Sequence, residues 1–415
     1  MHRTTAPGTQ DRDLPLTQDA RGKAVQLFRR GRWYASLDST ALCAVSGLRV
    51  CLAPPILIRD DARYLRDHLA DTPAPTPGAR RVILSAALDL FAHGRLDLGG
   101  IGLQDAAAFR SELDALTGIP PALVTRWCRA LRTQLDALPT TEPDDALTLV
   151  SLPGNTFTTL ESVFEAVLTS GAVWIRPSRK EPLSAARFAA ALLRAGWPPE
   201  RLGLYPTEPH ALSQLVTQSD RQIIYGGEAV ARTFGALPTV SLRGPCRACA
   251  VVDPQEDVRL TARRLRGWLA SDAGRFCTTV HTVACLGDPD PVADELGALL
   301  DTIELTPPDA AFPLARCPDP LEAWEMAAAV GRGMTPADRI VTRRPMVVEK
   351  DGGAFLTPTL VRVADPVGHA LVGREFPFVF ASVVAVDGAC LHTLVQGSTV
   401  VRSAGPRPCG KGAAR

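Results

Sequence analysis

The sequence predicts an α/β protein built on parallel, doubly wound sheets. Between residues 147 and 234, short apolar runs alternate with amphipathic segments of helical length, and most of the apolar runs end at Gly, Pro or Ser. Repeated units of this kind form a parallel sheet with helices on both faces. Polar and glycine-rich features follow three of the runs, at 153–157, 176–179 and 226–227. Ligands of such sheets bind beyond the carboxyl ends of the strands, so these features predict a binding site.

The individual elements follow from the periodicity of the apolar residues. Strands are predicted at 147–152, 173–176, 202–205 and 222–225, and helices at 160–168, 183–195, 212–216 and 228–234. Upstream, residues 32–58 alternate apolar and polar positions and predict edge strands, whereas 79–138 has helical spacing, as in Leu123, Trp127 and Leu131. Downstream, a helix at 260–270 precedes an apolar strand at 280–285.

Composition excludes several classes of function. A net charge of +1, with 46% apolar and 21% charged residues, is typical of a globular protein without a strong field for nucleic acid or anionic membranes. The N-terminus lacks the apolar core of a signal peptide, and no run is long enough to span a membrane. Ten thinly spread cysteines predict a cytoplasmic protein with reduced thiols. Cys246 and Cys249 form a C-x-x-C without a second pair, which favours a structural role over a metal or redox site.

Cys277 is the candidate nucleophile. It follows Gly274 on the connection between the predicted helix at 260–270 and the next strand, where a thiol can face a cleft. A reactive cysteine needs partial access and nearby positive or donor groups, which Arg275, His281 and the backbone N–H groups around Thr278 could supply. Considered alone, a cysteine beside a β-branched run is more often a small buried apolar residue.

Two further features suit a nucleotide and an acyl group. Gly226 and Gly227 open a helix, whose N–H groups and positive dipole end could face a pyrophosphate; a plain tight turn is the alternative. Asn155 follows a strand on a Gly-Asn turn, and its amide could donate to a developing oxyanion. Asparagine in turns also serves the backbone alone.

Arg176 and Arg179 bracket Ser178 just beyond a predicted strand. A guanidinium there could bind the adenosine ribose or a 2′-phosphate of a nucleotide. The alternative is a solvated arginine, because the chain is rich in arginine.

The order of these motifs resembles the aldehyde dehydrogenase superfamily over residues 147–386. The matching stretches are 153–157, 175–178, 226–227, 274–278, 355–360 and 374–377. The resemblance implies that Asn155 is the oxyanion asparagine and Cys277 the catalytic cysteine. It also implies that Arg176-Pro177-Ser178 takes the place of a Lys-Pro-Ser adenosine-ribose site, that Gly226-Gly227 begins the pyrophosphate helix, and that Glu375 holds the nicotinamide ribose.

One stretch departs from the superfamily. Hydrolytic members carry a glutamate in Glu-Leu-Gly-Gly-Lys, which activates water to release an acid; the equivalent stretch here is 240–247, with Arg243 or a near neighbour in the glutamate's place. Without that base, a thioester on Cys277 would not be hydrolysed efficiently. Two reactions of the thioester are then left open: transfer of the acyl group to or from another thiol, and reduction of the acyl group.

This pattern is similar to the acyl-CoA reductase branch, the long-chain fatty-acyl-CoA reductases of bacterial luminescence systems. The resemblance implies NADPH-dependent reduction of an acyl-CoA or acyl-carrier-protein thioester to an aldehyde, with NADH as the alternative cofactor. It also implies a homo-oligomer or a complex with an acyl-activating enzyme. The alternatives are a CoA-acylating, NAD(P)-dependent aldehyde dehydrogenase and a degenerate member without catalysis.

The predicted organisation has four parts. Residues 1–25 are loosely attached or disordered, 26–245 hold an N-terminal helical region and the nucleotide-binding domain, 246–387 form the catalytic domain, and 388–415 form an atypical tail. The tail is rich in Gly, Pro and Arg and is not expected to form a helix and a strand, which suggests truncation or a frame shift near Gln396.

Overall fold

The computed structural model describes residues 23–42, 47–305 and 311–403. In these ranges the helices are α1 (Pro55–His68), α2 (Pro77–His93), α3 (Ala106–Thr117), α4 (Pro121–Ala137), α5 (Glu161–Thr169), α6 (Leu183–Arg194), α7 (Leu212–Gln218), α8 (Glu228–Phe234), α9 (Val258–Ala270), α10 (Asp290–Asp301), α11 (Pro320–Gly333) and α12 (Gly388–Gln396). The strands are β1 (Ala24–Val25), β2 (Leu27–Arg29), β3 (Arg32–Tyr34), β4 (Ser39–Ala41), β5 (Arg49–Cys51), β6 (Leu96–Asp97), β7 (Leu103–Gln104), β8 (Leu147–Ser151), β9 (Ala172–Arg176), β10 (Leu202–Leu204), β11 (Arg221–Tyr225), β12 (Val240–Arg243), β13 (Cys249–Val252), β14 (Thr282–Cys285), β15 (Arg316–Cys317), β16 (Arg339–Ile340), β17 (Val347–Lys350), β18 (Gly353–Leu356), β19 (Thr359–Arg362), β20 (Phe380–Ala385) and β21 (Val401–Ser403).

The first large sheet confirms the predicted α/β class. Its order is β12-β11-β8-β9-β10-β2-β3, parallel from β12 to β10, with the β2–β3 hairpin antiparallel at one edge. The apolar runs of β8 and β9 are buried almost throughout because helices cover both faces. Helices α2, α5 and α6 pack on one face, and α1 and α7 on the other.

The N-terminal predictions are right in part. Edge strands do occur between residues 32 and 58, but β1, β5 and β4 form a separate small sheet, and helix α1 begins already at Pro55. The helical stretch at 79–138 contains α2, α3 and α4, with the short β6–β7 hairpin between the first two. Of the tail predicted at residues 1–25, residues 1–22 lie outside the described ranges.

The second large sheet is formed by the C-terminal part of the chain, in which β15, β18 and β17 form a separate three-stranded sheet. The order of the large sheet is β16-β19-β20-β14-β13-β21; β16 and β19 pair in antiparallel fashion, and all other neighbouring strands are parallel. Helices α9 and α10 cover one face, and α12 lies on the other beside the cluster that contains Phe376, Phe378 and Phe380.

The prediction that nothing regular follows Gly388 is wrong for residues 388–403. The Asp387 carboxylate accepts a 2.7 Å hydrogen bond from the Cys390 N–H and begins α12, while β21 adds to the edge of β13 in parallel. Strand β21 has only three residues, which is too few for an alternating apolar pattern to predict it from the sequence. Backbone hydrogen bonds to β13 stabilise it. Residues 404–415 lie outside the described part of the chain.

No helix within the described residues is long and apolar enough to cross a membrane.

Candidate active site

Four chain segments meet at the amino-terminal edge of the second sheet. Strands β13, β14, β20 and β21 are parallel neighbours, so the residues just before each of them lie side by side. These segments carry Cys246, Cys277, Glu375 and Thr399. The sequence placed Cys277 just before a strand, but no local pattern predicted that Cys246, Glu375 and Thr399 precede the neighbouring strands of the same sheet.

The loop that carries Cys277 requires its glycine. Gly274 has φ +69°, and a Cβ on it would lie 2.2 Å from the backbone carbonyl of Phe378. A side chain therefore has neither the backbone conformation nor the space that it needs.

Helix α4 supports the same loop. The Trp127 indole Nε1 donates a 2.8 Å hydrogen bond to the Asp272 carboxylate, and its ring lies 5.4 Å from that of Phe276. The Arg126 guanidinium donates to the Ser271 carbonyl. The four-residue spacing in the sequence predicted that Trp127 faces a core, but not that its indole N–H would hold the cysteine loop.

Asn155 and the cysteine loop are brought together from different sheets. Asn155 follows β8 at the carboxyl end of the first sheet, and its side-chain amide donates to the backbone carbonyl of Arg275, two residues before Cys277. A carboxamide has two N–H groups, so a second N–H can serve a ligand. The site therefore lies between the carboxyl edge of the first sheet and the amino edge of the second.

Neither side chain expected to assist the thiol does so by positive charge. The Arg275 guanidinium donates a 2.7 Å hydrogen bond to the Thr117 carbonyl and, with Asn155, lines a cavity of about 420 Å3. Burial lowers the pKa of His281, so this ring is neutral at pH 7. Both residues are close to Cys277 in the sequence, but this closeness does not show where their side chains point. Arg275 lines the cavity and His281 is buried.

The thiol of Cys277 instead contacts a second thiol. Cys246 and Cys277 share a hydrogen bond, and both are half-buried and unoxidised. This bond is the main cause that lowers the pKa of Cys246 to about 6, and it raises the pKa of Cys277. The structural role predicted for the C-x-x-C thus fits buried Cys249 and does not fit Cys246. The only sequence signal for Cys246 was its place in the stretch 240–247.

Glu375 holds the segment that carries Cys246. Its Oε1 accepts 2.7 Å hydrogen bonds from the backbone N–H groups of Cys246 and Arg247. Thr399, from the tail, donates from its hydroxyl to the Cys246 carbonyl at 2.7 Å. The negative charge of Glu375 contributes to the raised pKa of Cys277, so this carboxylate is near the thiol.

Arg176 lies at the carboxyl end of β9, across the ends of three strands. It donates to the Thr207 hydroxyl at 2.9 Å, to the Ser151 hydroxyl at 3.3 Å and to the Thr207 carbonyl at 3.4 Å. Burial lowers its pKa to about 10, which still leaves it charged at pH 7. Three of the five guanidinium N–H groups are thus engaged by described residues.

Ser178 and Arg179 occupy the turn after β9. The Ser178 hydroxyl accepts from the Lys180 N–H at 3.2 Å, and Arg179 pairs with Glu208 at 2.7 Å. A Cβ on Gly154 would lie 2.6 Å from the Ser178 hydroxyl, so the two turns after β8 and β9 touch.

The two glycines after β11 differ from one another. A Cβ on Gly226 would lie 2.5 Å from Val230, so this glycine is needed for packing, whereas a Cβ on Gly227 would meet nothing within 4 Å. Gly227 begins the seven-residue helix α8, and no side chain caps it. Open space beside bare N–H groups fits the phosphates of a nucleotide.

Arg243, in the stretch where hydrolytic relatives have their glutamate, is exposed. It ends β12 and lies 3.5 Å from the carboxylate of Glu165. No group of three or more His, Cys, Asp or Glu side chains able to hold a metal ion occurs in the described ranges.

The structure is an α/β protein with two large sheets, and the cysteine loop of the second sheet contacts Asn155 at the carboxyl edge of the first. The model of the aldehyde dehydrogenase family matches residues 155–386, more than half of the chain. The chain belongs to the aldehyde dehydrogenase family, and membership implies an oxidoreductase of the type that acts on aldehydes. No curated protein matches the sequence.

Solved structures support the fold over nearly the whole chain. Aldehyde dehydrogenase C of Pseudomonas syringae, a mutant complexed with NAD+ and octanal, is 16% identical, with a TM-score of 0.73 over 93% of this chain and 90% of that one. The NADP-dependent glyceraldehyde-3-phosphate dehydrogenase of Bacillus halodurans C-125, complexed with NADP, is 15% identical, with a TM-score of 0.71 over 93% and 92%. An NAD-dependent benzaldehyde dehydrogenase of Corynebacterium glutamicum is 15% identical, with a TM-score of 0.71 over 91% and 89%.

Proposed function

We propose that this protein reduces an acyl thioester to an aldehyde through an acyl-enzyme on Cys277. The observation that carries the proposal is the identity of the group in contact with that sulfur, which is the thiol of Cys246 and not a carboxylate. Arg243 points outward to Glu165, and Glu375 is held by two backbone N–H groups. An acyl group on Cys277 would therefore lack the glutamate that activates water in hydrolytic members of the family.

The chain's own residues have defined tasks in this reaction. The Cys277 sulfur attacks the thioester carbonyl, its bond to the acyl carbon forms, and the carrier thiol leaves. The remaining amide N–H of Asn155 donates to the oxyanion. A nicotinamide nucleotide would be held by Gly226, Gly227, Arg176, Ser178, Arg179 and Glu375.

When bound in its reduced form, that nucleotide supplies the hydride that turns the acyl group into an aldehyde. Arg176 and Arg179 suit NADPH because a guanidinium can bind a 2′-phosphate, while NADH remains the alternative. A homo-oligomer or a complex with an acyl-activating enzyme stays a prediction, as does a cytoplasmic location.

A second candidate is oxidation of an aldehyde to a CoA ester, the reverse direction of the same acyl chemistry. Family membership supports it, as do the structural neighbours with aldehyde substrates in their names. If Glu375 can leave its backbone partners, hydrolysis to a free acid becomes a further route, because its charge already reaches Cys277.

The test is intact-mass spectrometry of purified protein incubated with acyl-CoA of short and long chain. We expect an acyl adduct that is absent from Cys277→Ala and that NADPH or NADH removes with release of aldehyde. Cys390→Ser, which alters a half-buried thiol on α12, is the control and should acylate normally. An adduct that decays to free acid without reductant would favour the hydrolytic route, and no adduct with any chain length would favour a member without catalysis.

A further inference from the structure

Cys246 and Cys277 form a pair of thiols at the amino edge of the second sheet. Cys246 and Cys277 come from different segments, and both are positioned by backbone geometry. Strands β13 and β14 pair in parallel with Cys249 opposite Thr282, which sets the segments before them side by side. The two sulfurs are in hydrogen-bond contact.

Cys246 is held at three points on its own segment. Its N–H donates to Glu375 at 2.7 Å, and its carbonyl accepts both from the Thr399 N–H at 2.9 Å and from the Thr399 hydroxyl at 2.7 Å. These contacts restrict the backbone that carries the sulfur. A cysteine with only a packing role does not need such fixation, whereas a group that must meet another sulfur does.

We propose that Cys246 is a catalytic residue, the general base that receives the proton of Cys277. The transfer of the proton from Cys277 to Cys246 is inferred from the geometry of the thiol pair. The use of this transfer in acylation rests on the proposed function. In the free enzyme, Cys246 is the thiolate and Cys277 donates its S–H to it.

The proton and electron pairs balance without another reactant. When Cys277 attacks the thioester carbonyl, its proton moves to the Cys246 sulfur as the new sulfur–carbon bond forms. When the bond between the acyl carbon and the carrier sulfur breaks, the carrier leaves as a thiolate and the Cys246 S–H can protonate it. Cys246 then returns to the thiolate form.

The electrostatics agree with this assignment. The hydrogen bond from Cys277, with a contribution from Thr399, lowers the pKa of Cys246 to about 6. A base works best when its pKa lies near the working pH. Arg275 and His281 supply no positive charge to the pair, whereas the Cys246 sulfur contacts Cys277 and can take its proton.

The test measures alkylation of each cysteine by iodoacetamide between pH 5.5 and 9.5, with peptide mass mapping of Cys277 and Cys246. The variants are Cys246→Ala and Cys246→Ser, with Cys390→Ser as control, and circular dichroism checks folding. In wild type, alkylation of Cys277 should follow the ionisation of its base Cys246, with a midpoint near pH 6. Without Cys246, alkylation of Cys277 should follow the ionisation of its own thiol, with a midpoint at about 8.5, the ordinary thiol value, and its rate at pH 7 should fall about tenfold.

Serine keeps the size of cysteine but cannot accept a proton at neutral pH, so Cys246→Ser should behave like Cys246→Ala. Single-turnover acylation by acyl-CoA should slow by about 10²- to 10⁴-fold in both, with its pH profile displaced upward. An unchanged Cys277 alkylation profile in both variants would overturn the proposal. An acyl adduct that maps to Cys246 and survives Cys277→Ala would also overturn it, because the roles would be reversed. If wild type forms no acyl adduct, the proposed function fails, while the alkylation profile still decides whether the two thiols share a proton.

Discussion

The two edges that face each other across the site are built differently. The cysteine loop at the amino edge of the second sheet is fixed by Trp127, Arg126 and Asn155, and by the close contact of Gly274 with Phe378. At the carboxyl edge of the first sheet, α8 is a short, largely exposed helix, and Gly227 adjoins open space.

This difference matches two different tasks. A sulfur that must attack one carbon atom has to be held within a fraction of an ångström, and the surrounding contacts do this before any ligand binds. A nucleotide brings many contacts of its own, so the edge that holds it can be open and can be ordered by the ligand. We therefore expect substitutions at the cysteine loop to reduce both stability and thiol reactivity, and those at the nucleotide edge to reduce binding alone.

The largest effect is expected for Gly274→Ala. The new methyl group would overlap the Phe378 backbone, and alanine would have to adopt φ +69°. The free energy of unfolding should fall by about 2 to 5 kcal/mol, and alkylation of Cys277 should lose its dependence on Cys246. Urea denaturation measures the first and peptide mapping the second.

Gly267→Ala is the matched control for this change. Gly267 lies within α9, and a Cβ on it would meet nothing within 4 Å. Alanine should stabilise the helix by about 0.5 to 1 kcal/mol. Equal losses in both variants would mean that the loop contact with Phe378 is unimportant.

The second effect tests the support from α4. Trp127→Phe removes the indole N–H and leaves the Asp272 carboxylate without that donor. The free energy of unfolding should therefore fall by about 1 to 3 kcal/mol. Acylation of Cys277 should slow in the same variant because Asp272 begins the turn that positions the thiol. Chemical denaturation and single-turnover acylation are the two measurements.

Trp324→Phe is a close control, since its indole Nε1 also donates a 2.9 Å hydrogen bond to a carboxylate, that of Glu349. Trp324 is 52% exposed and Trp127 only 1%. The exposed bond exchanges readily with water, so its loss should cost less than about 0.5 kcal/mol. A cost as large as that of Trp127→Phe would contradict the assigned supporting role.

The contrast between the edges also explains what the sequence could predict. Strands β8, β9 and β11 and helix α8 lay within one or two residues of their predicted bounds, because local apolar periodicity and Gly or Pro signals determine them. The resemblance to the aldehyde dehydrogenase superfamily implied that Asn155 lies near the cysteine loop. The contact of Cys246 with Cys277 depends on the register of β13 against β14, where Cys249 lies opposite Thr282. No local sequence pattern encodes a register between strands that are so far apart along the chain.

Side-chain direction was the other limit. Arg275 is two residues from Cys277 yet donates to Thr117, and Arg176 is partly engaged by Thr207 and Ser151. The prediction that residues 388–403 lack regular structure was wrong because β21 forms only against the edge of β13. Residue type predicted which groups could act, whereas packing between distant segments decided which of them meet.

The smallest effect is expected at the open edge, for Gly227→Ala. The backbone φ of −88° suits alanine and the site has room, so the free energy of unfolding should change by less than about 0.5 kcal/mol. The methyl group would occupy the space where phosphate oxygens approach the N–H groups of α8. Dissociation constants for NADPH and NADH should rise about three- to tenfold, roughly 0.7 to 1.4 kcal/mol, while alkylation of Cys277 is unchanged. Isothermal titration calorimetry measures the binding, with Gly331→Ala, at an open position in α11, as the control. Normal nucleotide affinity in Gly227→Ala would place the pyrophosphate elsewhere, and a loss of thiol reactivity would mean that the two edges are not independent.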